Sequence, residues 1–142
     1  MAELEGRVLG LDLGDVRIGV AISDPERRLA VPLGTVHTGA PADLKAVAAL
    51  VREHHVTAVV VGLPLRMSGE TGTRAVHAKG FADALGSVLD VPVFLQDERL
   101  STVQADRALK DAGAGGRARR GAVDRSAAAI ILQAWLDGQP RG

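Results

Sequence analysis

A chain of 142 residues carrying 17 Lys+Arg against 17 Asp+Glu is long enough for one domain with a real core and too short for two nucleotide-clamping lobes. It has no cysteine, which excludes disulfides and thiolate metal sites and suits a reducing compartment. Its aromatics are Phe81, Phe94 and Trp135, too few for a base-stacking platform, so a polyanion would have to be held by a local basic patch rather than by net charge.

Arg7 to Leu13 reads as a first strand and Arg17 to Ser23 as a second, joined by a tight turn at Gly14 and Asp15. Leu9, Leu11 and Leu13 share a face with Ile18, Val20 and Ile22; the opposite faces carry Gly10, Gly19 and Ala21 and are bare. Leu29 to Thr38 gives a third strand that completes a meander. From Ala42 to Glu53 the spacing of Leu44, Val47, Ala48 and Val51 predicts an amphipathic helix. The apolar run from Ala58 to Gly62 suits a parallel strand covered on both faces. After a Gly/Pro/Ser-rich loop, Arg74 to Leu89 reads as a second helix and Val93 to Gln96 as a fifth strand. A capping box at Ser101 to Gln104 predicts a helix that stops at Gly113. Residues 113–121, GAGGRARRG, read as a mobile basic loop, and residues 1–6 and 137–142 as flexible ends. Asp124 to Leu136 reads as a last helix, with Ala127, Ala128, Ile131 and Trp135 on the face of Asp124. The order predicts one α/β domain over 1–142, with a five-stranded mixed sheet flanked by helices. Apolar runs such as Val56 to Leu65 are too short to span a bilayer, and MAELEGR lacks the order of a signal peptide. A cytoplasmic protein with no membrane partner is therefore expected.

One residue stands out in the first strand. Asp12 sits between Leu11 and Leu13, where an uncompensated carboxylate would cost several kcal/mol. Glu98, just past the fifth strand, and Asp124, at the start of the last helix, occupy comparable positions at the carboxyl edge of an α/β sheet, where sites form. If the three converge, they need a cation, and hard oxygen donors without cysteine or paired histidines suit Mg²⁺ or Mn²⁺. Two such ions roughly 3.5–4 Å apart would stabilise both the attacking and the leaving oxygen of a phosphodiester. Each acid also has an ordinary alternative: a turn residue for Asp12, a helix-dipole charge for Asp124 and a solvated surface charge for Glu98.

LGLDLGDVRIGVAISD, VVGLPLRMSGETG, DERLST and VDRSAAAIILQ together resemble the four blocks of the YqgF, or RuvX-type, family, and the resemblance runs from Arg7 to Leu136. It implies a ribonuclease H-like fold related to the Holliday-junction resolvases, with a two-metal nuclease site. The family's acidic residues fall on Asp12, Glu98 and Asp124, which would be both metal ligands and catalytic residues. Its proposed role is maturation of the 5′ end of the small-subunit ribosomal RNA precursor in the bacterial cytoplasm. The chain departs from the pattern at Asp15 and Val16, which stand where a hydroxyl and a lysine are usual. It departs again at Arg66, at Ser68 and at Ala122-Val123, where a basic residue often precedes the VD pair. Asp15 reads as a turn residue or as an extra carboxylate at the mouth of the site.

For phosphate contact the first candidates are Arg117, Arg119 and Arg120, since arginines among glycines can reach a backbone without reading bases. Arg66 and Arg99 follow, and Arg17 has pairing with Asp15 as its ordinary alternative. None of His37, His54, His55 and His77 is assigned to chemistry. The expectation is a metal-dependent nuclease acting on structured precursor RNA, as a monomer or homodimer. A branched-DNA resolvase, which needs a two-fold dimer, and a non-catalytic RNA-binding assembly module are the alternatives. A sugar-kinase or actin-like ATPase would need a second lobe.

Overall fold

The uneven first hairpin decides the layering. In the computed structural model of the protein, described here for residues 6–64, 72–98 and 126–140, the elements run β1 (Arg7–Leu13), β2 (Arg17–Ser23), β3 (Ala30–His37), α1 (Ala42–Glu53), β4 (Val56–Leu63), α2 (Thr73–Val88), β5 (Val93–Asp97) and α3 (Ala127–Asp137). The sheet order is β3-β2-β1-β4-β5. β1 pairs antiparallel with β2 and parallel with β4, β5 continues the parallel half, and β3 closes the meander. The mixed five-stranded sheet expected from the sequence is thus present. β4 is longer than the apolar run that signals it, because Val56 pairs with Arg7 ahead of a register shift at Thr57 and Leu63 pairs with Asp97 at the other end. The helix expected from Ser101 and the basic loop 113–121 lie outside the described residues.

The bulky face forms the larger core. Leu9, Leu11, Ile18, Val20, Ile22, Val59 and Val61 pack beneath Val47 and Val51 of α1 and Ala78, Phe81 and Leu85 of α2, all buried. Full burial of each large aliphatic chain contributes about 1.5–3 kcal/mol, and this layer holds the crossover helices in place. α1 has Pro41 as its N-cap residue, with no side chain capping from there. Asp43 supplies the missing acceptor from inside the first turn: its carboxylate accepts the Leu44 N–H at 2.7 Å and reaches back to the Gly39 N–H at 3.1 Å, while its own N–H donates to the Gly39 carbonyl at 3.0 Å.

The face read as bare is not open. α3 lies across it, and the small residues are what allow the helix to come close. A Cβ on Gly10 would stand 2.7 Å from the Leu132 Cβ, and one on Gly19 would stand 3.7 Å from the Ala128 Cβ. Val8, Ala21, Ala58 and Val60 are buried there against Ala128, Ile131, Leu132, Trp135 and Leu136. At the far side of this layer Trp135 meets Phe94 of β5 with ring centroids 5.3 Å apart. The start of α3 also differs from expectation. Ser126 is extended (φ −72°, ψ 118°) and its hydroxyl accepts the Ala129 N–H at 3.1 Å, so the helix begins at Ala127 rather than at Asp124.

The end of the sheet away from these strand termini is closed by short loops. Asp24 accepts the Arg28 and Leu29 N–H groups at 2.8 and 2.9 Å. These bonds, that from Leu29 first, hold its carboxyl below the usual carboxylate range.

Candidate active site

Two of the three predicted acids come to one face and one edge of the sheet. Asp12, half-buried, is opposite Gly19 across the β1–β2 ladder, on the side covered by α3. The parallel β1–β4 register ends at Leu11 opposite Val61, and one step further sets Asp12 beside Gly62. The β4–β5 ladder runs on past Asp97, because the Glu98 N–H donates to the Leu63 carbonyl at 3.1 Å. That bond fixes where the Glu98 side chain departs. Its carboxylate lies over Gly62, where a Cβ would collide with Glu98 Oε2 and would stand 2.7 Å from the Ile131 Cδ1. Glu98 is 2% exposed, which sets aside the solvated-surface reading of this residue.

Asp124, the third acid, lies outside the described residues, and so do Arg66, Arg99, Arg117, Arg119 and Arg120. Among the described residues no three acidic, histidine or cysteine side chains gather in a way that could hold a metal ion. Asp12 and Glu98 are two hard oxygen donors of the type that suits Mg²⁺ or Mn²⁺. The missing side chain at Gly62 is the structural reason that Glu98 can reach the Asp12 face. The α3 start leaves Asp124 ahead of the Ser126 cap, so helical spacing within α3 does not place it.

Above these strand ends is a cleft of about 300 Å³. It is lined by Leu13, Gly14 and Asp15 of the hairpin with Thr38, by Gly62 and Glu98 at the ends of β4 and β5, and by Thr73, Arg74 and His77 at the start of α2. The hairpin wall is fixed by hydrogen bonds. The Gly14 N–H donates to the Arg17 carbonyl at 3.0 Å, the Thr38 N–H to the Val16 carbonyl at 2.9 Å and the Thr38 hydroxyl to the Gly14 carbonyl at 2.8 Å. Gly14 has no space for a side chain, since a Cβ would stand 2.5 Å from the Arg17 carbonyl oxygen. Asp15 is exposed, so it is both a turn residue and part of the lip of the cleft. Arg17 is exposed opposite His37 and shares the face of Gly19 and Asp12, two residues beyond Gly19 along β2. Among the described residues it forms no ion pair with Asp15.

Sequence reasoning missed the α2 wall. Arg74 and His77 are spaced i, i+3, so they share a helix face, and α2 follows β4 directly at the carboxyl edge of the sheet. That combination was the available signal, and the polar face of an amphipathic helix hid it.

The fold is that of the ribonuclease H-like class. Thermus thermophilus RuvC, in a structure with a Holliday junction substrate, matches with a TM-score of 0.54 at 20% identity, over 93% of this chain and 94% of that one. The profile of the RuvX family, described as "Holliday junction resolvase", matches residues 6–138, and the chain belongs to this family. It is 51% identical over 134 residues to a protein of Anaeromyxobacter sp. (strain Fw109-5), covering 94% of this chain and 98% of that one. To a protein of Roseiflexus sp. (strain RS-1) it is 46% identical over 140 residues, covering 98% and 99%. Both relatives carry the name "Putative pre-16S rRNA nuclease".

Proposed function

We propose that the protein is a divalent-metal-dependent nuclease that hydrolyses phosphodiester bonds in processing the 5′ end of pre-16S ribosomal RNA in the cytoplasm. The observation that carries this reading is the Glu98 carboxylate, buried over Gly62 on the face and at the edge where Asp12 stands. The names of the relatives support the substrate. Among the described residues no helix is long and apolar enough to cross a membrane.

In this reading Asp12, Glu98 and Asp124 hold Mg²⁺ or Mn²⁺, two ions in all. Bound there, the ions supply charge neutralisation for the phosphate and a lowered pKa for the attacking water. The chain's own contribution is placement. The Glu98 N–H bond to Leu63 and the packing of Ile131 set the direction of one carboxylate, and the β1 ladder sets that of the other. Arg17, Arg66, Arg99, Arg117, Arg119 and Arg120 contact the phosphate backbone, so binding weakens as salt rises.

Asp12→Asn keeps the size of the side chain and removes its charge. It lowers Mg²⁺- or Mn²⁺-dependent cleavage by on the order of a hundredfold or more while the far-ultraviolet circular dichroism stays parental. Cleavage by this variant at the parental rate would overturn the site. The assay compares a precursor ribosomal RNA, single-stranded RNA and DNA, and a four-way junction. The junction arm tests a second reading, resolution of branched DNA, which the family description and the fold of RuvC favour. Symmetric cutting of two strands needs a two-fold dimer, so that reading also requires a dimer in sedimentation.

A further inference from the structure

We infer that Arg74 and His77 are substrate-binding residues that hold a phosphate of the substrate strand in the cleft lined by Glu98. The inference rests on the nuclease reading and deepens it, because it names where the strand lies beside the acids.

Charges of both signs line the one cleft. Asp15 lines the cleft from the hairpin and Glu98 from the end of β5, while the Arg74 guanidinium, with the His77 imidazole on the same helix, lines it from the start of α2. A phosphodiester entering between two carboxylates meets like charge, and the α2 wall is where the described cleft supplies the opposite sign. Neither Arg74 nor His77 is engaged by a hydrogen bond or ion pair among the described residues, so both heads are available to a ligand. Both are exposed, one turn apart, while Ala75, Ala78 and Phe81 of the same helix are buried in the core and hold their backbone still.

The placement also runs against helix electrostatics. The first turn of α2 contains no acid, and Gly72 gives it no side-chain cap. An arginine at that end is opposed by the helix dipole by about 0.3–1 kcal/mol, whereas an anion there is favoured. Departures from local preference concentrate at functional sites. Here an anion bound against Arg74 would relieve the departure. The hydroxyl of Thr73 lines the same space as a neutral donor. With a net charge of +0 for the chain, attraction of a polyanion has to be local, and this wall supplies it beside the acids.

The test is the double variant Arg74→Ala/His77→Ala in the full chain, with Arg74→Lys as the charge-keeping control. Fluorescence anisotropy follows binding of a labelled RNA hairpin with a single-stranded 5′ extension across a NaCl series, with EDTA present so that no strand is cut. The double variant weakens binding roughly tenfold, and its slope of log affinity against log salt falls by about one to two, while Arg74→Lys retains the parental slope. With Mn²⁺ added, the double variant raises KM and leaves kcat within about twofold, as expected of residues that bind the strand equally before and during the reaction. The thermal midpoint stays parental because both side chains are exposed. An unchanged affinity and slope in the double variant overturns the inference. Loss of slope in Arg74→Lys equal to that in the alanine variant also overturns it, as does absence of binding by the parental chain. The nuclease reading fails separately, when the parental chain with Mn²⁺ leaves every substrate intact although the salt slope still depends on Arg74 and His77.

Discussion

At position 62 even a methyl group would run into the Glu98 carboxylate and the Ile131 side chain, so the geometry of the site depends on an atom that is not there. Gly62→Ala has to displace one of the two. Overpacking of this kind costs about 1–3 kcal/mol, read as a lower urea midpoint at unchanged m-value. The Glu98 carboxylate is the atom group a Cβ at 62 would meet first, so cleavage falls by more than tenfold under conditions where the variant remains folded, measured as kcat with saturating Mn²⁺. Activity that drops only in proportion to the folded fraction would show that Ile131 moves instead. In the sequence Gly62 is merely the last letter of AVVVG, and Glu98 one of three charges in a row. The residue types were legible, whereas their mutual exclusion over one backbone position is a tertiary fact. The same holds for His77, which looks like any polar helix residue until the fold sets it in one cleft with Glu98.

The elements were the most legible level, and the reasons are local. α1 is bounded as its apolar spacing predicts, since Pro41 and the buried Asp43 mark its start. The alternation in β1 and β2 correctly separated a bulky face from a bare one but did not reveal what covers the bare face. That covering is α3, and Gly10 tests it. Gly10→Ala places a methyl group 2.7 Å from the Leu132 Cβ and 3.2 Å from the Ala128 carbonyl oxygen, both on a helix packed too tightly to yield freely. It destabilises the protein by about 1–3 kcal/mol in urea unfolding. The start of α3 was misread because Asp124 continues the apolar spacing of Ala127, Ala128 and Ile131 backwards. Ser126 interrupts it, and a serine directly before three alanines is a stronger signal for a helix start than spacing is.

At the scale of the whole molecule, the sheet presents two edges, and one of them is guarded. Along β3 the exposed Val31 and Leu33 flank Pro32, and the ladder to β2 shifts register between Val20 and Ala21. A proline that cannot donate and an irregular ladder both hinder the pairing of a further strand. Pro32→Val removes the first of these barriers and increases concentration-dependent self-association, followed by light scattering; scattering equal to the parental chain's would show that the register shift suffices alone. Fold class was legible because hydrophobic periodicity records layering. The candidate site was legible only in part, because Asp12, Glu98 and Arg74 come from segments distant in sequence that the sheet brings to one edge.

The covering of the small-residue face by α3 has a consequence for synthesis. The strip formed by Val8, Gly10, Ala21 and Val60 is finished only when residues 127–137 arrive, and Gln133 then ties the helix back to the β2–β3 loop. Its side chain donates to the Arg28 carbonyl and accepts the Ala30 N–H, each at 2.9 Å. At about 5–20 residues per second, the stretch between β5 and α3 takes roughly 1.5–6 s to translate. Through that interval a nascent chain with every strand already made still shows one apolar side of its sheet to solvent. Its exposure to chaperones and to aggregation is therefore set by the timing of the last helix rather than by the strength of the larger core.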